Sequence, residues 1–350
     1  ITVTVHGDVD DEADEDFFLQ IQSSGIAAIE NGTARGMILS DERTDYLSPS
    51  ELVADEAAQL LYVAESSAGR IGVIDLTSDT LVGSIDLPNN PSGLTLSADG
   101  ATLYVTAGIA TGVVHVVDTA SNQLLKSITV GHSPRSPVWA SSNRLYVCQQ
   151  FDNAVSVVDL TLDSVAGSIP VLREPFGATL TSDGSKLLVA NLLPHQASTA
   201  DHSAASVSVI DTASGTVDQH ILLAPGSHSP RGVAISPDGH YAVVAHTLGR
   251  YRIPTTQIFR GWVNTSALSI IDLTSMTLAS TVLLDDLDLG AANPWGMAFA
   301  SDGSVLSIAH AGTHELSAID WPALLPKLAL NPGDHSVDLT FLVGLRRRIP

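Results

Sequence analysis

The sequence lacks features on which several common protein classes depend. It has one cysteine, Cys148, so no disulfide can form within the chain, and it has neither a CxxC nor a CxxCH motif. It contains no run of about 18 apolar residues, so no transmembrane helix is predicted. Only 16 basic residues accompany 38 acidic ones, and the net charge is −22. A nucleic acid partner is therefore not expected, because such a surface repels phosphate backbones.

What the sequence does contain is one unit that occurs six times with a period of about 40–50 residues, which is typical of solenoids and propellers. Each copy begins with a proline and an apolar run, then has a turn, an LYVA-like strand, a VSVID-like strand and a last VxxSIxL-like strand. The opening prolines are Pro49, Pro91, Pro134, Pro175, Pro230 and Pro294. The aspartates that close the third strand are Asp75, Asp118, Asp159, Asp211, Asp272 and Asp320.

Turn dipeptides divide each unit into short strands. Four Asp-Gly pairs supply the positive φ of tight hairpins, at Gly100, Gly184, Gly239 and Gly303. Helical periodicity is not sustained anywhere, and alternating strands joined by tight turns predict an antiparallel meander. Repeated radially, the meander gives an all-β fold, a β-propeller of four-stranded antiparallel blades. The recurring aspartates are expected to bond turn backbone rather than to act as catalytic acids.

The stretch LYVAESSAGRIGVIDLTSDTLVGSIDLPNNPSGLTLSADGATLYVT resembles the YVTN-family β-propeller repeat of bacterial and archaeal surface and periplasmic proteins. The resemblance implies a propeller over residues 47–350 and an extracytoplasmic location: secreted, cell-surface or periplasmic. It implies little about function, since propellers host many. Six blades are visible. The tail, residues 336–350, is expected to supply one more strand that leads into a missing seventh blade.

Residues 1–42 differ from the repeats. A strand, Gly7-Asp8, an acidic loop, an aromatic strand and a third strand with Gly32 and Gly36 resemble the C-terminal half of a Calx-β domain. We expect a partial β-sandwich segment here. Carboxylates in the loop offer hard oxygen ligands for Ca2+, with a solvated acidic turn as the alternative. The candidate calcium ligands are Asp8, Asp10, Asp11, Glu12 and Asp14.

Long insertions favour one face of the propeller. The turn between strands one and two lies on one face of a blade, whereas the strand two to three loops and the connections between blades lie on the other. The second face carries the insertions at 191–206, 246–267 and 310–315. Long loops on a rigid scaffold commonly carry function. The candidate ligand- or partner-binding residues on it are His132, Arg135, His195, His202, His228, Arg231, His246, Arg250, Arg252, Arg260, Trp262, Trp295, His310 and His314.

Three interpretations of this face stay open. The histidines could hold a transition metal, or arginine and histidine could bind an anionic group while aromatic rings stack on it. Alternatively, each histidine could hydrogen-bond a nearby loop. The arginines of the insertion at 246–267 form a local positive patch in an acidic protein, or they pair with Asp285, Asp286 and Asp288.

The prediction from the sequence is an extracytoplasmic binding or scaffold module that is not catalytic by itself. It would bind a protein partner, an anionic small ligand or a neighbouring domain of a longer chain. The alternatives are part of a redox enzyme, with a His-bound metal or a partner domain of the c-type haem peroxidase type, or a propeller lactonase or hydrolase. Haem is implied only for a downstream domain. Cys148 takes the place of Ala64 and Thr106 in sister repeats and is expected in the core.

Overall fold

The computed structural model describes residues 15–20, 33–38, 47–141, 143–251, 263–287 and 289–350. In the N-terminal segment, β1 (Glu15–Gln20) and β2 (Thr33–Ile38) form an antiparallel pair, with Glu15 opposite Ile38. The candidate calcium ligands of the acidic loop lie outside the described residues.

The repeats fold into six four-stranded antiparallel sheets, and the strands follow chain order within each sheet. Blade one contains β3 (Pro49–Asp55), β4 (Leu60–Glu65), β5 (Arg70–Asp75) and β6 (Thr80–Asp86). Blade two contains β7 (Pro91–Leu96), β8 (Thr102–Ala107), β9 (Val113–Asp118) and β10 (Gln123–Thr129). Blade three contains β11 (Pro134–Ser141), β12 (Arg144–Gln149), β13 (Ala154–Asp159) and β14 (Ser164–Pro170).

Blades four to six follow the same plan. Blade four contains β15 (Pro175–Leu180), β16 (Lys186–Asn191), β17 (Ser206–Asp211) and β18 (Thr216–Leu222). Blade five contains β19 (Ser227–Ile235), β20 (Tyr241–Gly249), β21 (Asn264–Asp272) and β22 (Thr277–Leu283). Blade six contains β23 (Pro294–Phe299), β24 (Val305–His310), β25 (Glu315–Asp320) and β26 (Arg346–Ile349). The predicted all-β propeller is confirmed.

The first strands of consecutive blades pack against one another, from β3 on β7 through to β19 on β23. They are therefore the inner strands, which line the central channel. Turn chemistry sets the blade geometry, as predicted. The glycines of the four Asp-Gly turns have φ near +70°. The aspartates that end the third strands bond turn backbone, and Asp75 Oδ1 accepts from the N–H groups of Thr77 and Ser78 at 2.7 and 3.1 Å.

The sequence shows no sustained helical periodicity and predicts strands alone, but the structure contains one helix in its described part, α1 (Trp321–Leu330). In blade six the recurring aspartate, Asp320, caps this helix instead of a turn, and its carboxylate accepts from Ala323 N at 3.0 Å. Pro322 lies in the first turn, where the missing N–H costs nothing. The chain then runs beside the outer strand of blade five, where His335 N donates to Thr281 O at 2.9 Å, before β26 completes blade six.

Apolar side chains fill the spaces between neighbouring blades. Cys148 is fully buried there beside Tyr146 and Val189, and burial raises the pKa of its thiol to about 12. A thiol in this state is a packing residue, in agreement with the prediction. No helix among the described residues is long and apolar enough to span a membrane.

Candidate functional site

The candidate site lies where the inner strands begin. In every blade the register shifts within the first few residues of the inner strand, which is the mark of a β-bulge. Bulges re-aim a side chain relative to the regular strand. The residues that follow the opening prolines differ between the two halves of the ring, with serines in blades one and two and large side chains in blades three to six. In chain order they are Ser50, Ser92, Arg135, Phe176, Arg231 and Trp295.

The four large residues stack on one another, and we call them the arginine–aromatic ladder: Arg135, Phe176, Arg231 and Trp295. The guanidinium carbons of Arg135 and Arg231 lie 5.0 and 5.2 Å from the centre of the Phe176 ring. Arg231 also lies 4.0 Å from the centre of the Trp295 ring. The two aromatic rings meet edge to face at 6.2 Å. Cation–π contacts of this length hold the guanidinium planes in place.

The ladder carries positive charge that the described residues do not neutralise. Among them, no carboxylate lies within ion-pair distance of Arg135 or Arg231. Arg135 Nε donates to Gln150 Oε1 at 3.4 Å, and Arg231 Nε is buried without a hydrogen-bond partner. Burial lowers the pKa of Arg135, and the charge of Arg231 lowers it further. An anion at this place would relieve both the repulsion and the missing hydrogen bond.

Glycines allow the inner strands to approach closely enough for the ladder to stack. A Cβ atom on Gly177 would lie 2.4 Å from the carbonyl oxygen of Arg231. One on Gly232 would lie 3.1 Å from the carbonyl oxygen of Trp295. Each glycine follows one ladder residue and touches the backbone of the next. The distance between neighbouring inner strands at these glycines therefore sets the distance between the stacked side chains.

The histidines at the ends of second strands lie inside the blades. His246 is fully buried and His310 nearly so, and the ring Nε2 of each is 2.8 Å from a serine hydroxyl, Ser269 or Ser317. Asn191 occupies the same register position and donates to Ser208 Oγ at 2.9 Å. Burial lowers the pKa of both histidines to about 4. They are therefore neutral at pH 7 and crosslink strands, which fits the hydrogen-bonding interpretation.

The other histidines have local partners or an exposed position. His202 Nε2 hydrogen-bonds with the carbonyl oxygen of Leu223 at 2.8 Å, and His228 Nδ1 is 3.1 Å from Ser229 Oγ. His195 Nδ1 is 3.1 Å from Gln196 Nε2. The ring of His132 meets that of Phe151 at 5.2 Å, and His314 is exposed. The described residues contain no group of three or more potential metal ligands.

The positive patch predicted in the blade-five insertion is only partly described, since Arg252, Arg260 and Trp262 lie outside the described residues. Arg250 donates to the carbonyl oxygen of Ser336 at 2.5 Å, so it anchors the chain that follows α1. Among the described residues, Asp286 pairs with Arg346 and Arg348, at 3.4 and 3.1 Å. Sequence reasoning named three of the four ladder residues, Arg135, Arg231 and Trp295, among its candidates. It missed Gln150 and Gly177, whose roles depend on contacts between blades.

Three comparisons place the chain among known proteins. No family model matches it, so neither the YVTN nor the Calx-β resemblance gains support there. It is 30% identical over 174 residues to hydrazine synthase subunit beta of Kuenenia stuttgartiensis, covering 49% of this chain and 43% of that protein. It is 27% identical over 208 residues to antigen Lp49 of Leptospira interrogans, covering 56% and 45%. The matches thus span less than half the length of either curated relative.

The fold has a close structural counterpart. Kuenenia stuttgartiensis hydrazine synthase matches with a TM-score of 0.72 and 25% identity, over 87% of this chain and 87% of that one. This chain is therefore similar, as a propeller, to a subunit of a multi-subunit enzyme. The similarity supports the propeller fold.

Proposed function

We propose that this chain is an extracytoplasmic propeller module that docks a protein partner through an anionic group bound on the arginine–aromatic ladder. A carboxylate would accept hydrogen bonds from the two guanidinium groups, and an apolar neighbour on the partner would cover Phe176 or Trp295. The module itself would not be catalytic.

One observation carries the proposal: two half-buried guanidinium groups face each other across Phe176, with no carboxylate among the described residues to neutralise them. Structural arginines are normally paired, because burying an unpaired charge is costly. A site of this kind is prepared for an anion from outside. The strong negative charge elsewhere on the chain makes this positive spot distinctive for long-range steering.

A protein is the favoured source of the anionic group, with a free small anion as the alternative. The relative with 30% identity is by its name one subunit of a larger enzyme. That same similarity favours a second candidate function, in which the module is a scaffold subunit of a redox complex. The two functions are compatible, since a scaffold subunit also needs a docking face.

The ladder is tested with a probe pair that differs only in charge. Benzoate offers a carboxylate and a ring, whereas benzamide offers the ring with a neutral amide. Titration at low ionic strength, followed by calorimetry and tryptophan fluorescence, should show binding of benzoate and far weaker binding of benzamide. Arg231→Gln should weaken benzoate binding by about tenfold or more, the amount expected for one charge-assisted hydrogen bond.

Arg144→Gln is the matched control. It removes the same charge from the first residue of β12, whereas Arg135 of the ladder pairs with Cys148 near the other end of that strand. Benzoate binding should therefore be unchanged. Equal binding of benzoate and benzamide, or full benzoate affinity in Arg231→Gln, would refute the anion site. A redox module with its own His-bound metal, the alternative given by the sequence, has a separate measurement. Stoichiometric iron, copper or zinc in the purified chain would identify the module as a metal carrier rather than a scaffold.

A further inference from the structure

The second residue after the opening proline is small in every blade except blade one. It is glycine in blades two, four, five and six, serine in blade three and glutamate in blade one. In chain order these residues are Glu51, Gly93, Ser136, Gly177, Gly232 and Gly296. A strand rises by about 3.3 Å per residue, so this ring lies about that much deeper in the channel than the ladder. Glu51 is the one ionisable residue at this position in the six blades.

Glu51 and the glycines hold the same place in the fold as well as in the sequence. Glu51 pairs with Ala64 of the second strand, and Gly177 pairs with Ala190, the equivalent residue of blade four. A Cβ atom on Gly177 would lie 2.4 Å from the carbonyl oxygen of Arg231, so packing excludes a side chain there. Blade one thus carries a long polar side chain at a level where close approach of the inner strands favours none.

Glu51 points toward blade two and is reached by solvent through the channel. It lies on the same face of β3 as Val53, which packs in the apolar cluster between blades one and two. The neighbouring inner strand has only Ser92 and Gly93 at this level. Glu51 is exposed to solvent, and its carboxylate accepts a hydrogen bond from the N–H of Leu52. A group that enters the channel mouth can therefore contact this carboxylate.

The Glu51 carboxylate has no positive partner within the described part of the chain. None of the ion pairs there includes it. Two strands pack closely on β3: β7 has no titratable side chain, and β4 has Tyr62 and Glu65, of which Glu65 pairs with Arg70 at 2.5 Å. Enclosure by protein raises the pKa of Glu51 to about 7, since it removes part of the water around the carboxylate. A positive group from outside would favour the ionised form.

We propose that Glu51 is the cation-binding end of the ladder's binding site, so that the ligand carries an ammonium group for Glu51 as well as a carboxylate for Arg135 and Arg231. The proposal rests on the proposed function of the ladder and names the second charge of its ligand. The inner strands surround one channel, with the ladder on blades three to six and Glu51 on blade one. A ligand at the mouth therefore meets opposite charges on two sides.

The ammonium group has two sources with the same chemistry, a basic side chain beside the partner's carboxylate or a free zwitterion. Two probe pairs test for it and distinguish the sources. 4-(Aminomethyl)benzoate differs from 4-methylbenzoate by an ammonium group, and acetyl-Lys-Gly-Glu-amide differs from acetyl-Gln-Gly-Glu-amide in the same way. In calorimetric titrations at pH 8, the ammonium-bearing member of at least one pair should bind about tenfold more tightly, as expected for one charge-assisted hydrogen bond. A preference within the peptide pair identifies partner side chains, and one confined to the benzoates identifies a free zwitterion.

Glu51→Gln keeps the size of the side chain and removes its charge. It should abolish the preference for the ammonium-bearing probe and leave the affinity for 4-methylbenzoate unchanged. Glu56→Gln is the matched control, because Glu56 lies in the turn at the other end of β3, and the preference should persist in it. In the parent protein, lowering the pH from 8 to 6 should weaken the preference, since Glu51 then binds a proton while the amine of the probe stays charged.

Three results would overturn the proposal: equal binding within both probe pairs, a preference that survives in Glu51→Gln, or a preference of the same size at pH 6 and pH 8. The pH comparison uses the parent protein, so it decides the question even if Glu51→Gln melts early by circular dichroism. Absence of 4-methylbenzoate binding would instead refute the anion site on the ladder. Failure of the ladder and failure of the Glu51 proposal are therefore distinguishable.

Discussion

Substituting Gly177 by alanine tests whether close approach of the inner strands holds the candidate site together. The added Cβ would lie 2.4 Å from the carbonyl oxygen of Arg231 and 3.1 Å from the Cα of Gly232. Carbon and oxygen atoms rest in contact at about 3.3–3.6 Å. The inner strands of blades four and five must therefore separate by roughly 1 Å. Both neighbouring atoms belong to the backbone, so no side-chain rotation can relieve the contact.

The expected cost follows from two opposing effects. Overpacking of this kind destabilises a protein by about 1–3 kcal/mol. Replacing glycine also restricts the unfolded chain, which returns about 0.4–1 kcal/mol. The midpoints of these two ranges differ by about 1.3 kcal/mol, which is the expected net loss. Because the same shift moves Arg231 away from Phe176, benzoate affinity should fall together with stability.

Gly167→Ala provides the matched control, since an added Cβ there meets no atom within 4 Å. Equilibrium urea unfolding, followed by tryptophan fluorescence and circular dichroism, should place Gly167→Ala at or slightly above the parent midpoint and Gly177→Ala clearly below it. If both variants unfold at the same urea concentration, the inner strands are not in the tight contact on which the ladder depends.

Acidification should destabilise the fold between pH 6.5 and 4, because burial lowers the pKa of His246 to about 4 and the unfolded chain then binds its proton first. The change in the free energy of unfolding due to this residue approaches about 1.4 kcal/mol per pH unit. Urea midpoints measured at pH 7, 6 and 5 should therefore depend less on pH in His246→Gln than in the parent. An unchanged pH dependence would contradict a neutral His246 in the folded protein. Cys148 should react with Ellman's reagent only after unfolding, since its thiol is buried and its pKa is raised to about 12; rapid reaction of the native protein would show that the space between blades three and four is open.

The fold was predictable because its signals are local and repeated. The Asp-Gly turns need positive φ whatever surrounds them, and the recurring aspartates bond N–H groups only two or three residues ahead. The helix α1 was not predictable by the same logic. Its sequence is short and contains Pro322 and Pro326, and what decides its conformation is packing of Trp321 against Tyr241 and Phe299, which are distant in sequence.

Most residues of the candidate site were named from the sequence, but their arrangement was not predictable. Repeat position pairs His246 with His310, on second strands, and Arg135 with Arg231, after the opening prolines. It could not say that the first pair turns inward to serines while the second pair stacks across blades, because both outcomes depend on partners in other strands. Exposure differs between repeats for the same reason: Leu52 and Leu94 hold the same register position, but Leu52 is 59% exposed and Leu94 only 7%.

The ladder ends beside a cavity between the first and last described blades, and one side chain belongs to both. Trp295 is the last member of the ladder, where Arg231 stacks at 4.0 Å, and it also lines the cavity beside Pro49. Beyond it the ring continues with Ser50 and Ser92, which hydrogen-bond to neighbouring groups instead of presenting charge. An apolar side chain of a partner that enters this cavity would pack beside the ring on which Arg231 rests and would exclude water from it. Because a charge–anion contact strengthens as water leaves, occupation of the cavity should tighten anion binding at the ladder.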